Sequence, residues 1–163
     1  MNNLVVIGVG QTMRGDDAVG VIAVETWRSQ YPHTANLPGV QVETAELPGL
    51  DLLEMLSNAD TALIVDAVKS GSPAGGIHIL DEQAIAAFEP GTGSAHGWGV
   101  AETIQLGYQL GRNDLPRNIK IMGIAAQQFE IGSSLSPEIN QNLPNIVDEI
   151  ENQVRAVIQE KDL

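Results

Sequence analysis

Residues 8–20, GVGQTMRGDDAVG, follow a short apolar run and precede a stretch with helical periodicity. A strand, two glycines one residue apart and then a helix are typical of the turn that opens a dinucleotide-binding α/β domain. Here Met13 stands where the third glycine of such a turn belongs, and Asp16 and Asp17 lie at the start of the helix. Because carboxylates at that position repel a pyrophosphate, the segment predicts a strand, turn and helix whose ligand is not a phosphate.

Length and composition limit the class of protein. The chain has 163 residues, of which 43% are hydrophobic, and this size predicts a single domain over residues 1–163. Its net charge of −13 with only eight Lys and Arg argues against nucleic acid as a partner. It contains no cysteine, so thiolate ligands and cysteine nucleophiles are excluded. Without a signal peptide or a long apolar segment, we expect a cytoplasmic protein with no membrane insertion.

Short β-branched runs alternate along the chain with amphipathic segments, which predicts strands and helices in alternation. Strands are predicted at 3–9, 40–46, 61–68, 76–80 and 118–126. Helices are predicted at 17–30, 50–58, 82–88, 100–110 and from Ser136 onward, with a kink or break at Pro144. The tight connection before residue 76 favours antiparallel pairing or an edge position. We therefore expect a three-layer α/β/α sandwich around a mostly parallel five-stranded sheet with one antiparallel strand.

Acidic residues follow the first strand and occupy the third. In open α/β sheets, ligands bind beyond the carboxyl ends of the strands, and here the expected crevice lies between the first and third strands. Asp17 and Asp66 should therefore face each other, and His96 lies in a later loop that we expect to return to the same edge. Two carboxylates and an imidazole with open positions suit a divalent metal ion, so Asp17, Asp66 and His96 are the candidate metal-binding and catalytic residues.

Each candidate also has a structural alternative. Asp16 or Asp17 is suited to cap the first helix, and Asp66 is suited to a turn at a strand end. A loop histidine such as His96 can be merely solvated, which is how we interpret His33 and His78. The sequence has no P-loop, HExxH helix or GxSxG elbow, so those chemistries lack their local parts.

Four segments together resemble the hydrogenase maturation endopeptidases, which process the large subunit of [NiFe] hydrogenases. They are GVGQTMRGDDAVG, LIVDAV, SAHGWGVAETI and FEIGSSLSPEI, in the family's order and approximate spacing, and they span nearly the whole chain. The resemblance implies a phosphorylase/hydrolase-like fold. It also implies that a metal, which is nickel in function and zinc or cadmium in crystals, is bound by Asp17, Asp66 and His96.

The resemblance further implies an aspartic-type, nickel-dependent endopeptidase that removes the C-terminal extension of a large-subunit precursor. Its partner would be the nickel-loaded precursor itself, with nickel carried by this substrate. Two features depart from the family pattern: Gln11 replaces the usual Asn, and residues 44–49, TAELPG, replace a Gly-rich segment, which puts the substrate contacts there in doubt. A nucleotide-binding or flavodoxin-like module and a nickel-binding chaperone without peptidase activity remain as alternative functions.

Overall fold

The computed structural model describes residues 3–46, 48–87 and 99–161. Within these residues the strands are β1 (Leu4–Val9), β2 (Val40–Ala45), β3 (Thr61–Val68), β4 (Ile77–Leu80) and β5 (Asn118–Ala125). The helices are a 3₁₀ helix (Gly15–Ala18), α1 (Val19–Gln30), α2 (Pro32–Ala35), α3 (Asp51–Leu56), α4 (Glu82–Ala86), α5 (Val100–Gln109) and α6 (Pro137–Lys161).

The strands form one sheet in the order β2-β1-β3-β5-β4, in which four strands are parallel and β4 is antiparallel. The predicted mostly parallel sheet with one antiparallel strand is confirmed. β4 lies at the edge but pairs with β5 rather than with its predecessor β3. The strand order reverses between β1 and β3, so the crevice expected for a ligand lies where these two neighbours end.

Side chains alternate between the two faces of the sheet and build two separate cores. On one face the odd residues of β3, such as Leu63 and Val65, pack against α1 and α6, with the fully buried Trp27 among them. On the other face the even residues, such as Ala62 and Ile64, pack against α3, α4 and α5. This is the three-layer sandwich that the alternating pattern predicts, and alternation directs Asp66 toward the α3–α5 face.

Two local features differ from the sequence prediction. The helix predicted over 17–30 is divided, because the acidic pair lies in the 3₁₀ helix and α1 begins only at Val19. A kink or break is predicted at Pro144; the break does not occur, since α6 continues through this residue. Pro144 lies on the exposed face of α6, where a carbonyl that lacks its helical donor can bind water instead. None of the described helices is long and apolar enough to cross a membrane.

The first turn of α1 lies directly on the sheet, and this contact requires glycine. A Cβ atom at residue 20 would overlap the carbonyl oxygens of Val9 and Val65, which are backbone atoms of β1 and β3. The close approach sets how far α1, and therefore the 3₁₀ helix before it, stands from the sheet.

Replacing Gly20 with Ala should destabilise the protein, although alanine is the better helix former by about 1 kcal/mol. We expect a loss of at least about 2 kcal/mol in the free energy of unfolding, because the helix would have to move away from β1 and β3. Urea unfolding of the purified variant measures this loss.

Gly107→Ala in α5 is the matched control. Its added Cβ would meet only side-chain methyl groups, of Leu115 at 2.8 Å and Leu53 at 2.9 Å, and these can move. A Gly20→Ala variant as stable as the Gly107→Ala variant would contradict the close-contact explanation.

Candidate functional site

The adjacent aspartates of the 3₁₀ helix have separate structural roles. Both Asp16 and Asp17 are fully buried. Neither caps a helix of its own segment, because no side-chain cap hydrogen bond is present at the 3₁₀ helix or at α1. The interpretation of one aspartate as the cap of the first helix is therefore wrong.

The Asp16 carboxylate joins the loop after β1 to the segment between β5 and α6. It accepts hydrogen bonds from the backbone N–H groups of Gln127 and Gln128, both at 3.1 Å, and of Ser136 at 2.6 Å. Ser136 directly precedes α6, so a buried carboxylate more than a hundred residues away serves the start of that helix. The backbone N–H of Asp16 also donates to the Gln128 carbonyl at 2.7 Å.

Asp17 and Asp66 form a buried pair of carboxyl groups at the carboxyl ends of β1 and β3. Asp17 is fully buried and Asp66 is 2% exposed. Asp66 lies within β3, opposite Gly123 of β5, so it is not a turn residue. Burial raises the pKa of the Asp66 carboxyl well above its usual range, and the nearby Asp17 carboxylate raises it further, while a hydrogen bond from the Ala67 backbone partly offsets both.

The Asp66 carboxyl has unused capacity to bind a cation. The Asp17 carboxylate accepts a hydrogen bond from the Gln11 backbone N–H at 3.0 Å. Within the described ranges, the Oδ1 atom of Asp66 has no hydrogen-bond partner although it is buried. A buried acceptor without a donor costs free energy, and a divalent cation would remove both that cost and the repulsion between the two groups.

The loop after β1 does not form a phosphate cradle. Six of its backbone N–H groups already donate within the protein: Gly10 to Ala45 O, Gln11 to Asp17 Oδ2, Thr12 to Glu46 Oε1, Arg14 to Gln11 O, Gly15 to Ser133 O and Asp16 to Gln128 O. A phosphate-binding loop needs such groups free and directed at the ligand. The hydrogen bonding therefore disfavours the nucleotide-binding alternative.

His96, the third candidate ligand, lies outside the described residues. The next described residue along the chain is Gly99, directly before α5. Because α5 leads into β5, which is parallel to β3, the helix begins at the carboxyl-end edge of the sheet. Within the described ranges, no group of three or more His, Cys, Asp or Glu side chains could hold a metal ion, so the structure brings together Asp17 and Asp66 alone.

The divergent segment 44–49 is tied to the loop after β1. Both the backbone N–H and the hydroxyl of Thr12 donate to Oε1 of Glu46. These two hydrogen bonds hold the pKa of the exposed Glu46 carboxyl below its usual range. The sequence does not reveal this contact, because the two residues are 34 positions apart and each is an ordinary polar surface residue.

Comparison with known proteins identifies similar sequences. The family model HycI, hydrogenase maturation protease, matches residues 35–153. HupD of Thiocapsa roseopersicina, a hydrogenase expression/formation protein, is 27% identical over 142 residues, which cover 86% of this chain and 62% of that protein. The hydrogenase 2 maturation protease of Escherichia coli K12 is 26% identical over 149 residues, which cover 90% of this chain and 87% of that protein.

Solved structures of similar fold include the hydrogenase maturating endopeptidase HybD from E. coli. It superposes with a TM-score of 0.79 at 23% identity, covering 95% of this chain and 93% of that chain. The [NiFe] hydrogenase maturation protease HybD from Thermococcus kodakarensis gives a TM-score of 0.71 at 18% identity, covering 93% and 99%. At these identities the superpositions establish a shared α/β fold.

Replacing Asp16 with Ala should strongly destabilise the protein, because three backbone N–H groups would lose their acceptor. Each unsatisfied buried donor costs about 1–3 kcal/mol, so we expect a loss of at least about 3 kcal/mol. Thermal and urea unfolding measure it. Asp148→Ala, which removes one exposed hydrogen bond from the Tyr31 hydroxyl, is the control and should cost less than about 1 kcal/mol. Equal losses for the two variants would argue against the role given to Asp16.

Replacing Asp66 with Asn should have the opposite effect and stabilise the metal-free protein at neutral pH. The raised pKa means that the folded state is penalised when Asp66 is ionised. The gain should be largest at neutral pH, where the Asp66 carboxyl is ionised in the unfolded chain. It should shrink as the pH falls through the raised pKa and vanish below about pH 3.9, where aspartate is protonated in both states.

Thermal melts of wild type and variant across this pH range, in the presence of a chelator, measure the difference. Glu43→Gln removes an exposed carboxylate on β2 and controls for the general effect of lowering the negative charge. If Asp66→Asn gains no more stability than Glu43→Gln, the buried carboxyl groups do not repel one another as described.

Proposed function

Because this chain belongs to the hydrogenase maturation protease family, we propose that it is a nickel-dependent endopeptidase that removes the C-terminal extension of a [NiFe] hydrogenase large-subunit precursor. In this proposal the metal is carried by the substrate, and the crevice between β1 and β3 is where the protease meets it. The precursor is the partner, and its nickel is the feature recognised.

The buried pair Asp17 and Asp66 is the observation that carries this proposal. A protein of this size has little reason to bury two acidic groups side by side unless a cation joins them, because the folded state bears the cost of desolvation and repulsion. Oδ1 of Asp66 has no hydrogen-bond partner among the described residues, and Asp66 directly follows the part of β3 that pairs with β1. The donor set of carboxylate oxygens fits nickel, zinc or cadmium, with an imidazole as the further ligand.

His96 is the proposed imidazole ligand. It stands three positions before Gly99, so even a fully extended chain could span only about 10 Å between the two residues. That helix packs on the α3–α5 face of the sheet, the face toward which the alternation of β3 directs Asp66. The tether and the shared face support convergence of His96 with the aspartates.

The chemistry follows from what these residues offer. A divalent ion held there supplies Lewis-acid chemistry, by polarising the scissile carbonyl or by lowering the pKa of a water molecule. The carboxylates of Asp17 and Asp66 hold the substrate's metal in place, and the low-polarity surroundings of Asp66 favour a proton on its carboxyl group when no cation is present. Hydrolysis by water accounts for a protease crevice in a chain without cysteine.

A nickel-binding chaperone would use the same ligands without cutting the precursor. A processing assay separates the two functions, because the wild-type protein should convert the nickel-loaded precursor to a shorter product, seen as a gel shift and by intact mass. Binding of the precursor without any change of mass would favour the chaperone.

Replacing His96 with Ala should abolish nickel-dependent processing and leave the melting temperature nearly unchanged. Loss of one ligand of three weakens metal binding substantially, whereas a solvated loop side chain contributes no more than about 0.5 kcal/mol to stability. His33→Ala, which removes an exposed histidine of α2, is the matched control and should process normally.

Asp66→Asn tests the same site with a variant that we expect to fold at least as well as wild type. It should also fail to process the precursor. A His96→Ala protein that cuts at the wild-type rate would remove His96 from the site, and active Asp66→Asn would contradict the role of the buried pair.

A further inference from the structure

The loop after β1 and the loop after β5 form one continuous surface beside Asp17 and Asp66. Residues 11–16 and 127–133 are joined along their length by main-chain contacts rather than by side-chain packing alone. The contacts between main-chain atoms are Gly132 N to Met13 O at 2.8 Å, Gly15 N to Ser133 O at 3.1 Å and Asp16 N to Gln128 O at 2.7 Å. In addition, the Arg14 side chain donates from Nε to Phe129 O at 3.2 Å. These hydrogen bonds hold the tips of the two loops, residues 11–16 and 127–133, next to each other.

The tips carry two exposed apolar side chains. Ile131 is 80% exposed and Met13 is 69% exposed, the highest values among the large hydrophobic residues that the structure describes. The hydrogen bond from Gly132 to Met13 places their backbones side by side. Exposed apolar side chains on two loops joined by a hydrogen bond suit an apolar side chain of a binding partner.

Phe129 contacts two basic side chains, Lys69 and Arg14, on the same surface. The Lys69 ammonium lies 4.8 Å from the centre of the Phe129 ring, and Arg14 donates to the Phe129 carbonyl. Within the described parts of the chain, neither cation forms an ion pair with a carboxylate. In a chain with net charge −13 and eight basic residues, two cations without acidic partners at one place are a distinct local feature.

An open cleft of about 510 Å³ lies along the second loop and is lined by Gln127, Gln128, Phe129, Glu130 and Ser133. Glu130 is the one acidic side chain in this lining.

We propose that Met13, Phe129, Ile131, Lys69 and Arg14, which we call the docking ledge, bind the precursor segment next to the scissile bond. The segment would place an apolar side chain against Met13 and Ile131 and an acidic side chain against Lys69 and Arg14. This inference rests on the proposed function, because it assigns the ledge to the substrate of that same crevice.

Position and charge select this occupant over a second copy of the chain. Met13 lies four residues before Asp17, and Lys69 lies three residues after Asp66, so a chain seated on the ledge reaches the buried pair within a few residues. A second copy would bring another net charge of −13 against this one. A single acidic side chain next to an apolar one matches both parts of the ledge.

The double variant Met13→Ser/Ile131→Ser should raise the KM for the nickel-loaded precursor roughly tenfold and leave kcat within about twofold, because an apolar contact is lost in the bound and transition states alike. Lys69→Glu should likewise raise KM. Leu110→Ser is the control: Leu110 is 65% exposed but follows α5 at the opposite edge of the sheet, and its variant should keep the wild-type KM. Thermal melts of all variants check that they fold.

A charge swap identifies the occupant. Each Asp or Glu within the precursor's C-terminal extension and the few residues before it is changed to Lys in turn, and one of these precursors should restore the KM of Lys69→Glu. If no acidic position restores it, an acidic side chain as the occupant is overturned. An unchanged KM for the double variant, and equally for the single Ile131→Ser variant, overturns the ledge.

The failure of this inference differs from a failure of the proposed function. If wild-type protein does not cut the nickel-loaded precursor at all, the proposed function fails and the ledge fails with it. If wild-type protein cuts and the ledge variants keep its KM, only the docking ledge is wrong.

Discussion

The arrangement of the crevice depends on the three hydrogen bonds that the Asp16 carboxylate accepts from the segment between β5 and α6. These bonds fix the loop after β1 against the loop after β5, although the two loops are more than a hundred residues apart in the sequence. A carboxylate that is fully buried is tolerated here because its oxygens are occupied by charge-assisted hydrogen bonds. With the loops held, the neighbouring Asp17 is presented to β3 rather than to solvent.

Adjacent carboxylates therefore have opposite effects on stability. Asp16 stabilises the fold through its donors, whereas burial of Asp66, together with repulsion from the nearby Asp17 carboxylate, raises the pKa of Asp66 and opposes folding. The hydrogen bonds of Asp16 stabilise the loop in a conformation that also buries Asp17 next to Asp66, which is unfavourable by itself. Such a combination is typical of functional sites, where a group is held in an unfavourable environment that a ligand then relieves.

Three loops surround the Asp17–Asp66 pair and are joined by hydrogen bonds. The loop that carries Asp17 is tied on one side to the segment after β5 and on the other to Glu46 of the segment after β2. Segments that follow three different strands thus form a rigid rim around the site. Substrate specificity is free to change in the exposed parts of such a rim while the buried carboxylates stay in place.

The sequence predicted the order of strands and helices and the antiparallel fourth strand, because the hydrophobic periodicity of each element can be read from its own residues. It also predicted that Asp17 and Asp66 lie close together, because in an α/β sheet the chain topology brings the carboxyl ends of neighbouring parallel strands to one edge. The assignment of Asp17, Asp66 and His96 as metal ligands stays a prediction. The interpretation of Asp16 or Asp17 as a helix cap was wrong, since it assumes that the carboxylate acts on its own segment. The helix does not break at Pro144, and a kink there stays a prediction.

Only the tertiary structure decided which aspartate does what. Asp16 and Asp17 are identical in type and adjacent in sequence, so no pattern distinguishes a carboxylate that binds backbone N–H groups from one that faces a second carboxylate. The difference arises because the 3₁₀ helix turns one side chain toward the segment before α6 and leaves the other near β3. The sequence by itself determined that acidic groups stand at the carboxyl ends of β1 and β3; their partners depend on chain segments that meet only after folding.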